Sequence, residues 1–260
     1  MEKVRQIKRN LKLEGIIIRN YRIQDYHKGT IIISPDIGIF HAIAYGGYKG
    51  KSKLGPSVQP LCKGKLDIYQ DPVKKSNKIL EYEPYAIYEN TKKDLKKYFT
   101  ALSWLEITVK SHGGGESTRD FYNLLSASLD TLEKIHEILL DRLSVQFLLR
   151  AAILLGGNLN PSECGLCGSK ITCDIEEPLY YSKTESCFTC SRCFSPNSEQ
   201  IAAGLKKYIE YSLKNSLEVS LNAGIENNLL KYLKSLLYSI IQEYLEENLL
   251  TLKAGKDYLS

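Results

Sequence analysis

The chain has 260 residues, of which 43% are hydrophobic and 25% charged, with a net charge of +5 and seven cysteines. That length gives room for two domains with separate cores, and the composition is ordinary for a soluble globular protein. No uninterrupted apolar run reaches the roughly 18–20 residues a membrane span needs, and the charged opening Met1–Gly15 does not read as a secretory signal. No membrane partner is expected, and the expected location is intracellular.

The charge is unevenly spread. Residues 1–80 hold sixteen Lys/Arg against six Asp/Glu, whereas residues 81–260 hold nineteen against twenty-four. A basic front half joined to a mildly acidic back half points to an anionic partner for the front.

Short β-branched runs come first. Gly15–Arg19, Thr30–Ile33, Ile37–Tyr45, Val58–Tyr69 and Ile79–Tyr88 read as five strands, with Ser34-Pro35-Asp36 as a turn. Five strands in about eighty residues fit a small barrel such as an OB-fold. The period changes at Thr91, where Leu95, Tyr98, Phe99, Leu102, Leu105 and Val109 line one helical face. His112-Gly113-Gly114-Gly115 ends that helix. A second helix, capped by Ser117 or Thr118, carries Phe121, Leu125, Leu132, Ile135 and Leu139. A third runs from Asp141 to Leu155, apolar on several sides and therefore central, and Gly156-Gly157 stops it. Helix is expected again from Ser198, with Ile201, Leu205, Tyr208, Ile209 and Leu213, and a last long helix covers roughly 226–250. The expected class is α+β multidomain: a basic barrel over residues 1–88, then a helical domain over 89–260 with an inserted cysteine module at about 160–197.

Within that module stand Cys164-x-x-Cys167 and Cys190-x-x-Cys193, with Cys173 and Cys187 between them. Two such knuckles close a tetrahedral four-thiolate shell around one Zn²⁺, and in a reducing compartment metal is favoured over disulfides. The preferred ligands are Cys164, Cys167, Cys190 and Cys193. The register stays open, because Cys187-x-x-Cys190 has the same spacing and Cys173 or Cys187 could substitute. A closed shell of this kind is structural: metal-binding energy becomes folding energy for a segment with little core. A catalytic zinc lacks its partners here. There is no H-x-E, and the only His-Glu, His136-Glu137, has Leu140 where H-E-x-x-H needs its second histidine. His136 is read instead as a partly buried helix residue, and Trp104 as a packing residue. No nucleophile elbow or paired carboxylates stand out, so the chain is not expected to be an enzyme.

The loop Tyr45-Gly46-Gly47-Tyr48-Lys49-Gly50-Lys51-Ser52-Lys53 alternates lysines with small residues between two tyrosines. Glycines let a phosphate chain approach, Lys49, Lys51 and Lys53 supply charge, and the tyrosines can stack on unpaired bases. The competing reading is a solvated hairpin loop. Arg19, Arg22 and Lys28 are expected to extend the same positive surface.

These residues resemble a family. Glu14-Gly15-Ile16-Ile17-Ile18-Arg19, the run from Gly38 to Gly46, Lys51-Ser52-Lys53 and Leu61 are similar to the N-terminal domain of RecO recombination mediators. Phe147-Leu148-Leu149-Arg150, Leu154-Leu155-Gly156, Pro161, Cys164-x-x-Cys167-Gly168 and Cys190-x-x-Cys193 resemble the second half of that family. The likeness covers nearly the whole chain in order. Gly157 stands where tyrosine is usual, Glu185-Ser186-Cys187 where Ser-Gly-Gly is frequent, residues 1–12 form a basic extension, and loop lysines replace arginines. The resemblance implies an OB-fold, a helical domain, a zinc module in many members and no catalytic turnover. It implies binding to single- and double-stranded DNA, annealing of complementary strands, and loading of RecA with RecR onto DNA coated by single-stranded-DNA-binding protein, whose acidic tail is recognised. The other classes weighed are a zinc-dependent nucleic-acid-processing enzyme and a zinc-ribbon transcription or interaction module.

Overall fold

The architecture is that of a computed structural model in which residues 9–171 and 178–259 are described. The chain divides into two compact units, Met1–Glu89 with Thr118–Ser126, and Asn90–Ser117 with Ala127–Ser260.

In the first unit five strands, β1 (Asn10–Ile23), β2 (His27–Ser34), β3 (Gly38–Ala44), β4 (Cys62–Asp71) and β5 (Ser76–Ala86), close a barrel in the order β1-β2-β3-β5-β4. The expected five-stranded barrel is present; β1, β2 and β5 run longer than the expected runs, whereas β3 and β4 are shorter than Ile37–Tyr45 and Val58–Tyr69. Pairing is antiparallel except where Ala42 and Ile43 of β3 meet Asn77 and Lys78 of β5 in parallel. A hairpin cannot serve a parallel pair. Residues 45–61 therefore form a crossover into β4 and carry the short helix α1 (Leu54–Ser57). The solvated hairpin and the strand start at Val58 are both replaced by this crossover: Val58 is fully buried and packs with Ile17, Ile32, Leu66, Ile68 and Ile79 in the barrel core. Opposed glycines, Gly15 and Gly64, sit where β1 meets β4. A Cβ at Gly64 would lie 2.7 Å from Pro84 Cα, so close strand approach dictates glycine there. Thr118–Ser126 attaches to the barrel through polar contacts: Tyr122 Oη donates to Glu14 (2.8 Å), Lys63 Nζ to Ser126 Oγ (2.9 Å), and Arg119 pairs with Asp36 (2.8 Å).

The second unit is helical. It comprises α2 (Glu89–Lys93, from its second residue), α3 (Leu95–Lys110), α4 (Thr118–Lys134, from Ala127), α5 (Leu140–Leu154), α6 (Ala203–Lys214), α7 (Leu217–Ser220), α8 (Asn227–Leu245), α9 (Leu250–Ala254) and α10 (Lys256–Leu259). As its composition requires, α5 is central: Leu143, Phe147, Leu148 and Leu149 are fully buried, and Trp104 stacks on Phe147 with ring centroids 4.7 Å apart. Three boundaries differ from the periodicity. Asp94 breaks the expected helix before Leu95, because its side chain caps the N–H groups of Lys96 and Lys97. The helix through Leu139 stops at Ile135, which is extended (ψ 155°), and buried Lys97 donates to its carbonyl at 2.7 Å. His136 is consequently exposed at the start of a 3₁₀ turn rather than partly buried in a helix. Third, Ser198 begins a strand and not a helix.

Glutamates cap two helices from a distance. Glu133 accepts from the N–H groups of Asn90 and Thr91, and Glu106 from those of Leu250 and Thr251. Burial alone would raise both carboxyls, but these hydrogen bonds outweigh it and hold them below the usual range. Depressed carboxyl pKa values give stability above the unfolded value, and that stability is lost as pH falls through the folded one.

Arg150 shows why the Phe-Leu-Leu-Arg run ends in a cation. Its guanidinium donates to Ser212 O and Asn215 O, both at 2.9 Å, and so satisfies the C-terminal carbonyls of α6. We expect Arg150→Met to keep the side-chain volume but strand these carbonyls, lowering stability by roughly 2–3 kcal/mol in denaturant titrations. An unchanged midpoint would remove Arg150 from the account of how α6 is held.

Candidate metal centre and nucleic-acid interface

The cysteine module carries a small sheet of β6 (Leu179–Ser182), β7 (Cys187–Thr189) and β8 (Ser198–Ile201), ordered β7-β6-β8. The strand at Ser198 is the third of these; it pairs with β6 through Ser182↔Ser198 to Leu179↔Ile201, so the sheet claims residues whose spacing also suits a helix. Tyr181 and Phe188 form its core with rings edge to face at 5.9 Å.

Two turns supply the sulfurs. In the first, Gly168 N–H donates to Cys164 O at 2.9 Å and Gly168 adopts φ +67°, a conformation glycine tolerates without cost. In the second, Cys193 N–H donates to Cys190 O at 3.0 Å. The Sγ atoms of Cys164, Cys167, Cys190 and Cys193 all lie within 4.8 Å of one another, and those of Cys167 and Cys190 are 3.9 Å apart. Tetrahedral coordination with metal–sulfur bonds near 2.3 Å places sulfurs about 3.8 Å apart, so the donor set fits one metal ion. Burial works against ionisation of Cys164, but the N–H groups of Cys167, Cys190 and Leu166 overcome it and lower its pKa. The Ser169 hydroxyl and N–H bring Cys167 down to about 6, while sharing a proton with Cys167 pushes Cys193 up to about 12. A divalent cation relieves that competition by neutralising the clustered negative charge. Cys187 is outside the four; it is 4% exposed on β7, and burial raises its thiol. Cys173 lies outside the described residues.

The basic loop is built rather than loose. Gly46 N–H donates to His27 Nδ1 (3.0 Å), Tyr48 N–H to Tyr26 O (3.0 Å), and Ser52 N–H to Lys49 O (2.9 Å). Lys49, Lys51 and Lys53 are exposed on it. Tyr26, Tyr45 and Tyr48 are 55%, 41% and 40% exposed, and each has a cation over its ring. Lys49 Nζ is 5.5 Å from the centroid of Tyr26, Lys78 Nζ 5.6 Å from that of Tyr45, and Arg22 Cζ 5.0 Å from that of Tyr48. Arg22 thus joins the loop, whereas Arg19 is exposed on β1 opposite Ile31.

Lys28 departs from the expectation of a surface charge. It is 3% exposed, its Nζ donates to Gly55 O (2.8 Å) and Val58 O (3.0 Å), and burial lowers its pKa. Its ammonium fastens the α1 crossover beneath the loop. Sequence reasoning missed Tyr26, whose carbonyl in the β1–β2 turn holds Tyr48 N–H, and Lys78, which the β3–β5 pairing carries to the loop. The signal that could have found them is the recurrence of tyrosine beside basic residues in Tyr26-His27-Lys28 and Tyr69 to Lys78.

A closed barrel with an aromatic and cationic surface, followed by a helical unit with four cysteines clustered to fit a metal ion, defines the architectural class. Two family models match, described as recombination protein O N terminal over residues 8–88 and recombination protein O C terminal over residues 92–253. The chain belongs to the recombination protein O (RecO) family. Among similar proteins, the DNA repair protein RecO of Alkaliphilus metalliredigens (strain QYMF) is 24% identical over 86% of this chain and 91% of its own length. That of Mycoplasma capricolum (subsp. capricolum, strain California kid) is 24% identical over 89% and 91%, and that of Thermoanaerobacter sp. (strain X514) 23% identical over 97% and 98%. Among the described residues, no helix is long and apolar enough to cross a membrane.

Proposed function

We propose that this chain is a cytoplasmic mediator of DNA repair and homologous recombination that works by binding and not by turnover. The barrel unit holds single- and double-stranded DNA, with Arg19, Arg22, Lys49, Lys51 and Lys53 on phosphates. Lys28 keeps the loop in place. Phosphate contacts of this kind give affinity with little sequence preference, and neutralising two strands lets complementary sequences meet. The helical unit, stapled by one Zn²⁺ on Cys164, Cys167, Cys190 and Cys193, is the scaffold for RecR and for the acidic tail of single-stranded-DNA-binding protein. When bound, the zinc supplies cross-linking only, because four thiolates fill its shell.

The observation that carries this reading is the cation-and-tyrosine surface on a barrel of the RecO family. The test is strand annealing with complementary single strands coated by single-stranded-DNA-binding protein, with and without RecR. Annealing faster than the spontaneous rate, with both strands intact, is expected. No acceleration overturns the mediator reading, and cleaved or modified strands replace it with the zinc-dependent enzyme.

A further inference from the structure

The first unit has a cleft beside the basic loop, of which the expected contacts use only Tyr45. It lies where the end of β3 meets the β4–β5 hairpin, encloses about 420 Å³, and is lined by Tyr45, Tyr69, Asp71, Lys74, Ser76 and Lys78 among others. Its residues come from two stretches of chain, the end of β3 and the β4–β5 hairpin. The short parallel pairing of β3 with β5 at Ile43↔Lys78 and the antiparallel pairing Tyr69↔Lys78 bring them together. From the geometry we infer that this cleft is a subsite for one unpaired nucleotide of a single strand, whose base enters against Tyr45 and Tyr69 while Lys74 and Lys78 take the flanking phosphates. The inference rests on the reading that the barrel binds single strands.

The lining chemistry selects a base over a bare anion. Tyr45 and Tyr69 line the cleft with aromatic surface against which a planar heterocycle can pack, and exposed Leu80 adds apolar surface to the same lining. Asp71 would repel a phosphate at the same place. Its Oδ1 accepts from the N–H groups of Val73 and Lys74 at 2.9 and 3.0 Å, which fixes the turn between β4 and β5. Hydrogen bonding from Lys74 N–H is the largest of the effects that keep its pKa low, so the carboxylate is an acceptor, suited to amino groups on a base edge. The lysines provide the opposite charge. Lys78 rests over the Tyr45 ring at 5.6 Å, an arrangement an arriving base replaces by stacking while the ammonium turns to a phosphate. Tyr45 also opens the basic loop, and its ring meets His27 edge to face at 4.9 Å, so the cleft continues the surface that carries Lys49. A strand following this path leaves the loop and drops one base into the barrel wall. Duplex DNA, with its bases paired and stacked, cannot do so.

The experiment compares the full-length protein's affinity, by fluorescence anisotropy, for a short oligodeoxycytidylate and for an abasic oligomer of equal length and charge. The intact oligomer should bind roughly ten-fold more tightly, the scale of one base–aromatic stack. Tyr45→Ala should abolish that difference by loosening the grip on the intact oligomer, and Tyr45→Phe should restore it. Equal affinity for the two oligomers in the unaltered protein overturns the subsite while the phosphate-binding loop stands. A difference that survives both Tyr45→Ala and Tyr69→Ala places base stacking elsewhere and also overturns it. Failure to bind either oligomer in dilute buffer overturns the single-strand reading and the subsite with it.

Discussion

Cys164→Ser should purify with much less than one metal per chain and with its module open to protease, whereas Cys187→Ser should keep both metal and resistance. The contrast follows from placement. Cys164 is 1% exposed, stands within 4.8 Å of three other sulfurs, and receives backbone N–H groups that favour its thiolate. A serine hydroxyl stays protonated and is a poor ligand for a thiolate-selecting ion. A structural metal such as zinc is worth roughly 10–16 kcal/mol of apparent binding free energy in small modules, and strands as short as β6, β7 and β8 are expected to gain much of their stability from it. Inductively coupled plasma analysis and limited proteolysis read the two effects. Full metal in the Cys164 variant, or little metal in freshly purified reduced wild-type protein, would refute the ligand set. Loss of metal in the Cys187 variant would put the second knuckle in the other register.

Changing Lys49, Lys51 and Lys53 together to alanine should weaken single-strand binding and flatten its dependence on salt. Each phosphate neutralised contributes about −0.7 to the slope of log K against log salt for single strands, so losing three contacts makes it shallower by about 2. All three side chains are exposed on a loop held by its own backbone and by His27 and Lys28, so the fold should survive the change. Affinity measured at several salt concentrations checks this. An unaltered slope would move the phosphate contacts off the loop. Lys28→Ala belongs to a different class of change: it removes the donor to Gly55 and Val58 carbonyls and should lower the melting temperature as well as affinity.

The two knuckles were legible because their geometry is local: four residues make the turn and the sulfurs follow. The barrel was legible from its β-branched runs, since Ile16 to Ile18, Ile32 and Ile33 can only be buried in sheet. What the sequence concealed depends on pairing across distance. Residues 45–61 look like a hairpin until β3 is seen to lie parallel to β5. Ser198–Ile201 carries helical spacing into α6, yet β6 needs a second neighbour. Lysine composition makes Lys28 look solvated, and only the carbonyls converging on it reveal otherwise. Tyr69 and Lys78 lie far from the loop in sequence, and it is the pairing of β3 with β5 that brings their hairpin beside it.

The parallel junction between β3 and β5 has a mechanical consequence. The ladder there spans two residue pairs, with Asn77 Nδ2 adding a bond to His41 O at 2.8 Å, whereas every other junction in the barrel is longer. If the cylinder unzips anywhere, it does so along this line first. Lys78 lies on that line. A polymer that grips Lys78 therefore sutures the weakest joint of the cylinder, and by linkage a tighter joint grips the polymer harder. Hydrogen exchange at Asn77 and Lys78 should slow when cargo is aboard, which makes this joint a built-in gauge of loading.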